Sequence, residues 1–255
     1  MHILPVDGIP ELAEGDDLLT MIGDAIESSI GAMHEGDVVV VTHKIVSKAE
    51  GGLIALSTIE PSALAARLAN DWGKDARQIE VVLRQAKRIL RMSRGIIIAE
   101  THHGLICANA GVDASNVAAD TVVILPVDPD ASAERIRRAL MERHFPDRSP
   151  EAHPFGVIIT DSFGRPWRNG IVNVAIGVAG IAPLSDYRGH FDPAGYELRA
   201  TILAIADELA SAAELVMHKL SARPVAVIRG YERQIGGPVG TGKDLIMAED
   251  RNLFI

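Results

Sequence analysis

The sequence predicts an α+β fold in which helices flank mixed sheets. Segments with helical periodicity alternate with short β-branched runs, but a strict alternation of strand and helix is missing. Hairpin-like pairs of strands interrupt the pattern, most clearly at residues 96–99 and 105–108, where His102-His103-Gly104 forms a plausible tight turn. These observations disfavour a doubly wound parallel sheet.

In the first half of the chain, capping residues mark the helices and β-branched runs mark the strands. Asp16 or Asp17 can cap a helix to about Met33, and Asp75 can cap another. Pro61 suits a first helical turn. Four consecutive valines indicate a fully buried strand. The predicted elements are helix 17–33, strand 38–41, helix 61–72, helix 76–90, strand 96–99, strand 105–108 and strand 121–125.

In the second half, fewer and longer elements are predicted. Asp128-Pro129-Asp130 leads into a helix to about His144, and a connection rich in proline and charge follows. The remaining predicted elements are strand 156–160, helix 198–220, strand 225–228 and a loop-like end with a glycine-rich patch.

Composition narrows the functional classes. The 255 residues suit one large domain or two small ones, and the net charge of −9 disfavours a general binder of nucleic acid. The single cysteine, Cys107, fits a reducing compartment and is interpreted as a buried, inert thiol. The sequence has no membrane-spanning apolar run and no signal-peptide pattern at its start. We therefore expect a cytoplasmic protein that binds neither nucleic acid nor a membrane.

Residues 109–116 (NAGVDASN) form the first candidate site. They follow a predicted strand and are small and polar, so the backbone can approach a ligand closely. Asp113 and Asn116 offer the oxygen donors that Mg²⁺ or Mn²⁺ prefers. The alternative interpretation is an Asx-type turn without a ligand.

Residues 160–170 (TDSFGRPWRNG) form the second candidate site. Asp161 at the end of an apolar strand is well placed for a metal ligand, and Gly164 permits a sharp turn. Arg165 and Arg168 are candidates for binding an anionic substrate through its phosphate or carboxylate oxygens. The alternative is a helix cap at Asp161 with two solvated arginines.

Two lysine-containing segments need separate interpretation. Lys48 follows the valine strand and can bind a phosphate, although an exposed surface lysine is the commoner case. Residues 237–244 match G-x-x-x-x-G-K, but Asp244 replaces the Ser or Thr that would bind Mg²⁺. We interpret this segment as a mobile glycine-rich loop and not as a P-loop. His102 and His103 are adjacent and lack further ligands at zinc spacing.

Taken in order, the motifs resemble one family over nearly the whole chain. The segments are 8–10 (GIP), 14–18 (EGDDL), 46–51 (VSKAEG), 109–116 (NAGVDASN), 160–165 (TDSFGR) and 206–210 (ADELA). The N-A-G-x-D-A-S-N and T-D-[ST]-x-G-R segments are specific, and the joint match resembles the coenzyme F420-0:L-glutamate ligases, also called F420 gamma-glutamyl ligases.

The resemblance implies an activity. Members join the amine of L-glutamate to the terminal carboxylate of the lactyl-phosphate side chain of a deazaflavin, F420-0, and add later glutamates through γ-carboxylates. The reaction converts GTP to GDP and phosphate. The resemblance implies two divalent ions, Mg²⁺ or Mn²⁺, accompanied by K⁺. An acyl phosphate turns the poorly electrophilic carboxylate into one that an amine can attack.

The resemblance also implies roles for residues. Asp113, Asp161 and Ser162 match metal ligands. The matched GTP contacts are Ile9, Pro10, Glu11, Leu12, His43, Lys44, Lys48, Asn116, Met217, His218, Lys219 and Leu220. The chain departs at His218 and Lys219, where archaeal members carry Gly and an oxygen-bearing metal ligand. Because a protonated lysine cannot ligate Mg²⁺, either the second ion has fewer protein ligands or Lys219 binds phosphate directly.

The family further implies a homodimer of intertwined subunits, each a single ligase domain of two subdomains over residues 1–255. At this length we expect no C-terminal nitroreductase-like domain. Two other functions stay open. One is an amide ligase of the same scaffold that acts on another carboxylate acceptor, and the other is a nucleotide-binding regulator without turnover.

Overall fold

The computed structural model describes residues 1–149, 152–231 and 239–252. The strands are β1 (His2–Val6), β2 (Val38–Thr42), β3 (Leu53–Ala55), β4 (Ala86–Ser93), β5 (Ile96–Thr101), β6 (Ile106–Ala108), β7 (Thr121–Val123), β8 (Gly156–Arg165), β9 (Arg168–Ala179), β10 (Ser185–Asp186), β11 (Ile202–Leu203) and β12 (Val225–Arg229). The α-helices are α1 (Leu18–Ile30), α2 (His43–Ala49), α3 (Ala63–Trp72), α4 (Ala76–Gln85), α5 (Pro129–His144) and α6 (Ile205–Met217).

A five-stranded mixed sheet in the order β1-β12-β2-β8-β9 forms the centre. Only the β2–β8 pair within it is parallel. Val39 and Val41 of β2 pack in a core with α1 and α5, whereas Val38 and Val40 pack on the opposite face with α6. Because both faces are covered, all four valines are fully buried, as their continuous apolar run predicts.

Residues 53–123 build two of the three smaller sheets of the described residues, and β10 and β11 form the third. β4, β5 and β6 form an antiparallel sheet that packs against α3 and α4, and β3 pairs with β7. The turn predicted at His102-His103-Gly104 is confirmed between β5 and β6, with Gly104 at a φ of +90°. The predicted α+β class with mixed sheets and flanking helices is therefore confirmed.

Several predicted boundaries are wrong. The helix predicted over 76–90 ends at Gln85, and residues from Ala86 pair with β5 as a strand. The helix predicted over 198–220 begins only at Ile205, after the short strand β11. The sequence reasoning also missed β1, β9 and α2. From Ala86 onward, pairing with β5 overrides the local helical pattern.

The described part of the glycine-rich segment is not a mobile loop. Gly242 N donates to Asp130 Oδ1 of α5 over 2.6 Å, and Thr241 and Asp244 form a reciprocal capping box around a short 3₁₀ turn. A Cβ at Gly242 would approach the carbonyl oxygen of Ile176 to 2.8 Å, so glycine is needed for close packing on β9. Residues 237 and 238 lie outside the described residues. In the described residues, no helix is long and apolar enough to cross a membrane.

Candidate active site

A cavity of about 770 Å³ opens where the parallel pairing of β2 and β8 ends, at Thr42 and Thr160. After Thr42 the chain turns into α2, whereas after Thr160 it continues as the long hairpin of β8 and β9. This divergence of adjacent strands leaves a crevice beyond their carboxyl ends, where α/β sheets commonly bind ligands. The lining residues that carry polar side chains are Glu11, Thr42, Lys44, Lys48, Asn116, Thr121, Thr160, Asp161, Ser162, Asn173, Glu214, His218, Lys219 and Arg223.

The cavity brings together most of the residues that the sequence motifs predict. Residues 9–12, Lys44, Lys48, Asn116, Asp161, Ser162 and residues 217–220 all line it, although they come from five separate parts of the chain. His43, Asp113, Arg165 and Arg168 are not among the lining residues. The structure therefore unites the predicted nucleotide segments but leaves the two arginines outside.

The first two residues of α2 hold the two predicted metal-binding aspartates. His43 Nε2 lies 3.3 Å from Asp161 Oδ1, and Lys44 Nζ lies 2.6 Å from Asp113 Oδ2. His43 is almost fully buried and its Nδ1 lies 3.3 Å from Ser47 Oγ. The start of α2 thus lies beside both carboxylates, of which Asp161 lines the cavity and Asp113 does not.

Asp113 forms the Asx-type turn that its sequence offered as one interpretation. Its carboxylate accepts hydrogen bonds from Ser115 N and Ser115 Oγ, as in an Asx-type turn, over 2.7 and 2.9 Å. Burial alone would raise the pKa of Asp113, but hydrogen bonds from Lys44 and Ser115 hold it below the usual value. The carboxylate is therefore ionised at neutral pH and already paired with Lys44.

Lys48 is buried, so the alternative of an exposed surface lysine is wrong. Its ammonium group donates to the backbone oxygen of Asn116 over 2.7 Å and pairs with the exposed carboxylate of Glu11. Lys44 and Lys48 of α2 both line the cavity, so the cavity presents two ammonium groups to an incoming anion.

Asp161 and Ser162 suit a divalent ion better than Asp113 does. Asp161 belongs to β8, so the helix-cap alternative is wrong. Its side chain is 15% exposed, and within the described residues no Lys or Arg forms an ion pair with it. No group of three or more His, Cys, Asp and Glu gathers into a metal site in the parts of the chain that are described. One carboxylate and one hydroxyl are enough for Mg²⁺ or Mn²⁺ when substrate phosphates complete the coordination.

Arg165 and Arg168 flank the turn of the β8–β9 hairpin. Pro166 and Trp167 make this turn, with Trp167 at a φ of +59°, so the sharp turn predicted at Gly164 is wrong. Arg165 Nη2 makes a long contact of 3.4 Å with the backbone oxygen of Asn169, and Arg168 is exposed. Trp167 between them is 84% exposed, which gives the tip an aromatic and cationic surface.

The altered segment at the end of α6 also lines the cavity. His218 follows the last helical residue with φ +50° and ψ 147°, a conformation that glycine adopts more easily than histidine. Lys219 and Leu220 are exposed at the cavity. Lys219 thus adds a third lysine to the cavity lining.

Sequence reasoning missed two lining residues, Asn173 and Glu214. Ser162 Oγ donates to Asn173 Oδ1 over 2.7 Å, and Asn173 Nδ2 donates to Glu214 Oε2 over 3.0 Å. The available signal was the single amide within the otherwise apolar run of β9, since buried polar residues need partners.

Comparison with known proteins agrees with this arrangement. The model of the F420-0:Gamma-glutamyl ligase family matches residues 8–230. The chain belongs to the F420-0:gamma-glutamyl ligase family. The match spans both walls of the cavity, from the segment before α1 to the end of β12.

Three relatives that carry the name coenzyme F420:L-glutamate ligase illustrate the similarity. The protein of Methanopyrus kandleri is 44% identical over 100% of this chain and 97% of its own length. That of Methanothermobacter thermautotrophicus is 42% identical over 91% of this chain and 89% of its own. That of Archaeoglobus fulgidus is 36% identical over 100% of this chain and 96% of its own. Membership of this ligase family therefore extends over nearly the whole chain.

Proposed function

We propose that this chain is a GTP-dependent ligase that adds L-glutamate to the side-chain carboxylate of F420-0 and then adds γ-linked glutamates. The supporting observation is the composition of one cavity wall, where the buried Lys48 lies among the same lining residues as Asp161 and Ser162. Cations that bind phosphates beside oxygen ligands for a divalent ion are what transfer of a phosphoryl group requires.

In the proposed reaction, the chain positions two successive displacements. An oxygen of the acceptor carboxylate attacks the γ-phosphorus of GTP, the bond to the β-phosphate oxygen breaks, and GDP leaves. The glutamate amine then attacks the carbonyl carbon of the acyl phosphate, phosphate leaves, and the amine gives up a proton as the amide forms. Lys44, Lys48 and Lys219 bind phosphate oxygens, and Asn116 with residues 9–12 binds the nucleotide. A phosphate group of GTP takes the place of the Glu11 carboxylate as the ion-pair partner of Lys48.

Divalent ions fit the oxygen donors in this proposal. Asp161 and Ser162 would hold Mg²⁺ or Mn²⁺ together with the phosphates, and Asp113 would contribute to a second ion. A bound ion would neutralise charge that develops on the transferred phosphoryl group. We do not assign Lys219 as a metal ligand, because its protonated ammonium group has no free lone pair. It binds phosphate directly in this proposal.

The cationic tip of the β8–β9 hairpin suits the negatively charged phosphate of the acceptor. Arg165 lies three residues beyond Ser162 on β8, a rise of roughly 10 Å along an extended strand. We propose that Arg165 and Arg168 bind the phosphate of the lactyl-phosphate side chain while its carboxylate reaches the cavity.

We also propose a homodimer. Residues 182–204 leave the central sheet as an arm that carries the exposed side chains of Tyr187, Phe191 and Tyr196. Exposed aromatic clusters of this kind commonly mark protein interfaces.

An end-point assay by mass spectrometry tests the function. Purified protein is incubated with F420-0, L-glutamate, GTP and Mn²⁺, beside a reaction without GTP. Added mass of one or more glutamyl residues only with GTP supports the proposal. Hydrolysis of GTP without added mass would indicate a different carboxylate acceptor, and neither reaction would favour a regulator.

A further inference from the structure

A short chain of hydrogen bonds runs from the cavity wall into α6. Ser162 Oγ, Asn173 and Glu214 Oε2 are joined over 2.7 and 3.0 Å, and all three residues line the cavity. Asn173, in the middle of this series, is only 5% exposed. The proposed function uses Ser162 but assigns nothing to Asn173 or Glu214.

The donors and acceptors in this series of hydrogen bonds can be assigned from its last member, Glu214. The carboxylate of Glu214 accepts, so the amide nitrogen of Asn173 faces it and the amide oxygen faces Ser162. That oxygen can only accept, and the hydroxyl of Ser162 must therefore donate its single hydrogen to Asn173. The lone pairs of Ser162 Oγ are left for the cavity.

We propose that Asn173 is a positioning residue that turns the hydroxyl hydrogen of Ser162 away from the cavity, so that its oxygen is ready to ligate a divalent ion. Glu214 fixes the orientation of the Asn173 amide. The inference rests on the metal assignment in the proposed function and adds how this chain prepares that ligand. Partners of this kind typically change metal affinity ten- to hundred-fold.

The backbone around Asn173 is held by other groups. Ser162 and Asn173 are cross-strand partners on β8 and β9, and Ser211 Oγ donates to the backbone oxygen of Asn173 over 2.7 Å. Two residues further along β9, Ala175 N donates to Asp207 Oδ1 over 2.9 Å. Removal of the Asn173 side-chain amide therefore leaves the strand anchored.

The test measures binding of Mn²⁺ to the full chain in the presence of GDP, with free Mn²⁺ followed by electron paramagnetic resonance. Asn173→Leu keeps the approximate size of the side chain and removes both hydrogen bonds, and we expect a ten- to hundred-fold weaker affinity. Ser162→Ala should weaken it at least as much. Asn173→Leu should add no further loss in the Ser162→Ala background, because it acts through that hydroxyl. Asn169→Leu, on the same strand but outside the cavity, is the matched control.

Two further variants guard against a folding defect at Asn173. Asn173→Asp combined with Glu214→Gln reverses the amide and the carboxylate and retains an acceptor for the Ser162 hydroxyl, so it should bind Mn²⁺ about as tightly as the wild type. Glu214→Ala should weaken binding about threefold to tenfold, again only when Ser162 is present. Thermal unfolding of each variant verifies that it is folded.

The outcomes separate this inference from the proposed function. Wild-type affinity in Asn173→Leu, or an equal loss with and without Ser162, would overturn the positioning role and leave the metal assignment standing. Absence of Mn²⁺ binding by the wild-type protein would overturn the metal assignment and this inference together.

Discussion

At the scale of single residues, burial distinguishes Lys48 from an ordinary surface lysine and suits it to bind an anion. Its ammonium group is nearly inaccessible yet borders the cavity, where Asn116 O and Glu11 hold it. A buried ammonium group needs an anionic or polar partner, and an incoming phosphate supplies a stronger one than the exposed Glu11.

We predict that Lys48→Met weakens GTP binding about ten- to hundred-fold, because charge-assisted hydrogen bonds contribute roughly 1.5–3 kcal/mol. Isothermal titration calorimetry measures the affinity. Lys87→Met, which removes an exposed lysine of β4, is the control and should bind GTP normally. An unchanged affinity in Lys48→Met would contradict the phosphate role.

Asp161 gives the second prediction at this scale. Its half-buried carboxylate has His43 beside it and no Lys or Arg ion-pair partner in the described residues, which favours a bound cation. Asp161→Asn keeps the shape and removes the charge, so metal-dependent ligase turnover should fall at least a hundred-fold with little change in melting temperature. Asp71→Asn, on the exposed side of α3, should retain full activity. Full activity in Asp161→Asn would show that this carboxylate binds no essential ion.

At the scale of elements, the sequence predicted those whose pattern is local. The four valines of β2, the caps Asp17 and Asp75, and the helix predicted after Asp128 are confirmed. Residues 86–90 continue the helical pattern of α4, but their pairing with β5 makes them a strand. Likewise, Asp161 and Lys48 lie in motifs and were found, whereas Asn173 meets Ser162 and Glu214 only after β9 pairs and α6 docks. Local signals therefore identify single candidate ligands, whereas the partners that orient them require the tertiary fold.

The junction of α3 and α4 yields a prediction about pH. Glu80 of α4 accepts hydrogen bonds from Ser62 N, at the start of α3, and from Arg84 Nε, each over 2.9 Å. Bonds from Ser62 and then Arg84 lower the pKa of Glu80 to about 2. A depressed pKa in the folded state stabilises the protein above the unfolded value near 4.5 and loses that effect as pH falls toward 2.

We therefore expect Glu80→Gln to be less stable than the wild type by about 1–2 kcal/mol at pH 7. The difference should narrow below pH 4.5 and disappear near pH 2. Urea unfolding at a series of pH values measures it, with the exposed Glu142→Gln as the control. A difference that stays constant down to pH 3 would show that the charge of Glu80 is not responsible.

At the scale of the whole molecule, the arm over residues 182–204 is the least self-contained part of the described chain. Its two short strands, β10 and β11, pair only with each other, and most of its residues are exposed. Phe191 is 69% exposed and Tyr196 is 66% exposed, so neither contributes much to the core of its own subunit. An arm of this composition is stabilised most simply by burial against a second copy of the chain.

We predict that the wild-type protein sediments with close to twice its chain mass of 27.3 kDa, and that Phe191→Ser combined with Tyr196→Ser shifts it toward the monomer. The reason is the lost apolar contact, since each large aromatic side chain buried at an interface contributes about 1.5–3 kcal/mol. Analytical ultracentrifugation over a range of protein concentrations gives the mass and the dissociation constant. Val127→Ser removes an equally exposed apolar side chain before α5 and should leave the assembly unchanged. A wild-type monomer at micromolar concentration would contradict the dimer, whereas a dimer indifferent to both aromatic changes would place its interface away from the arm.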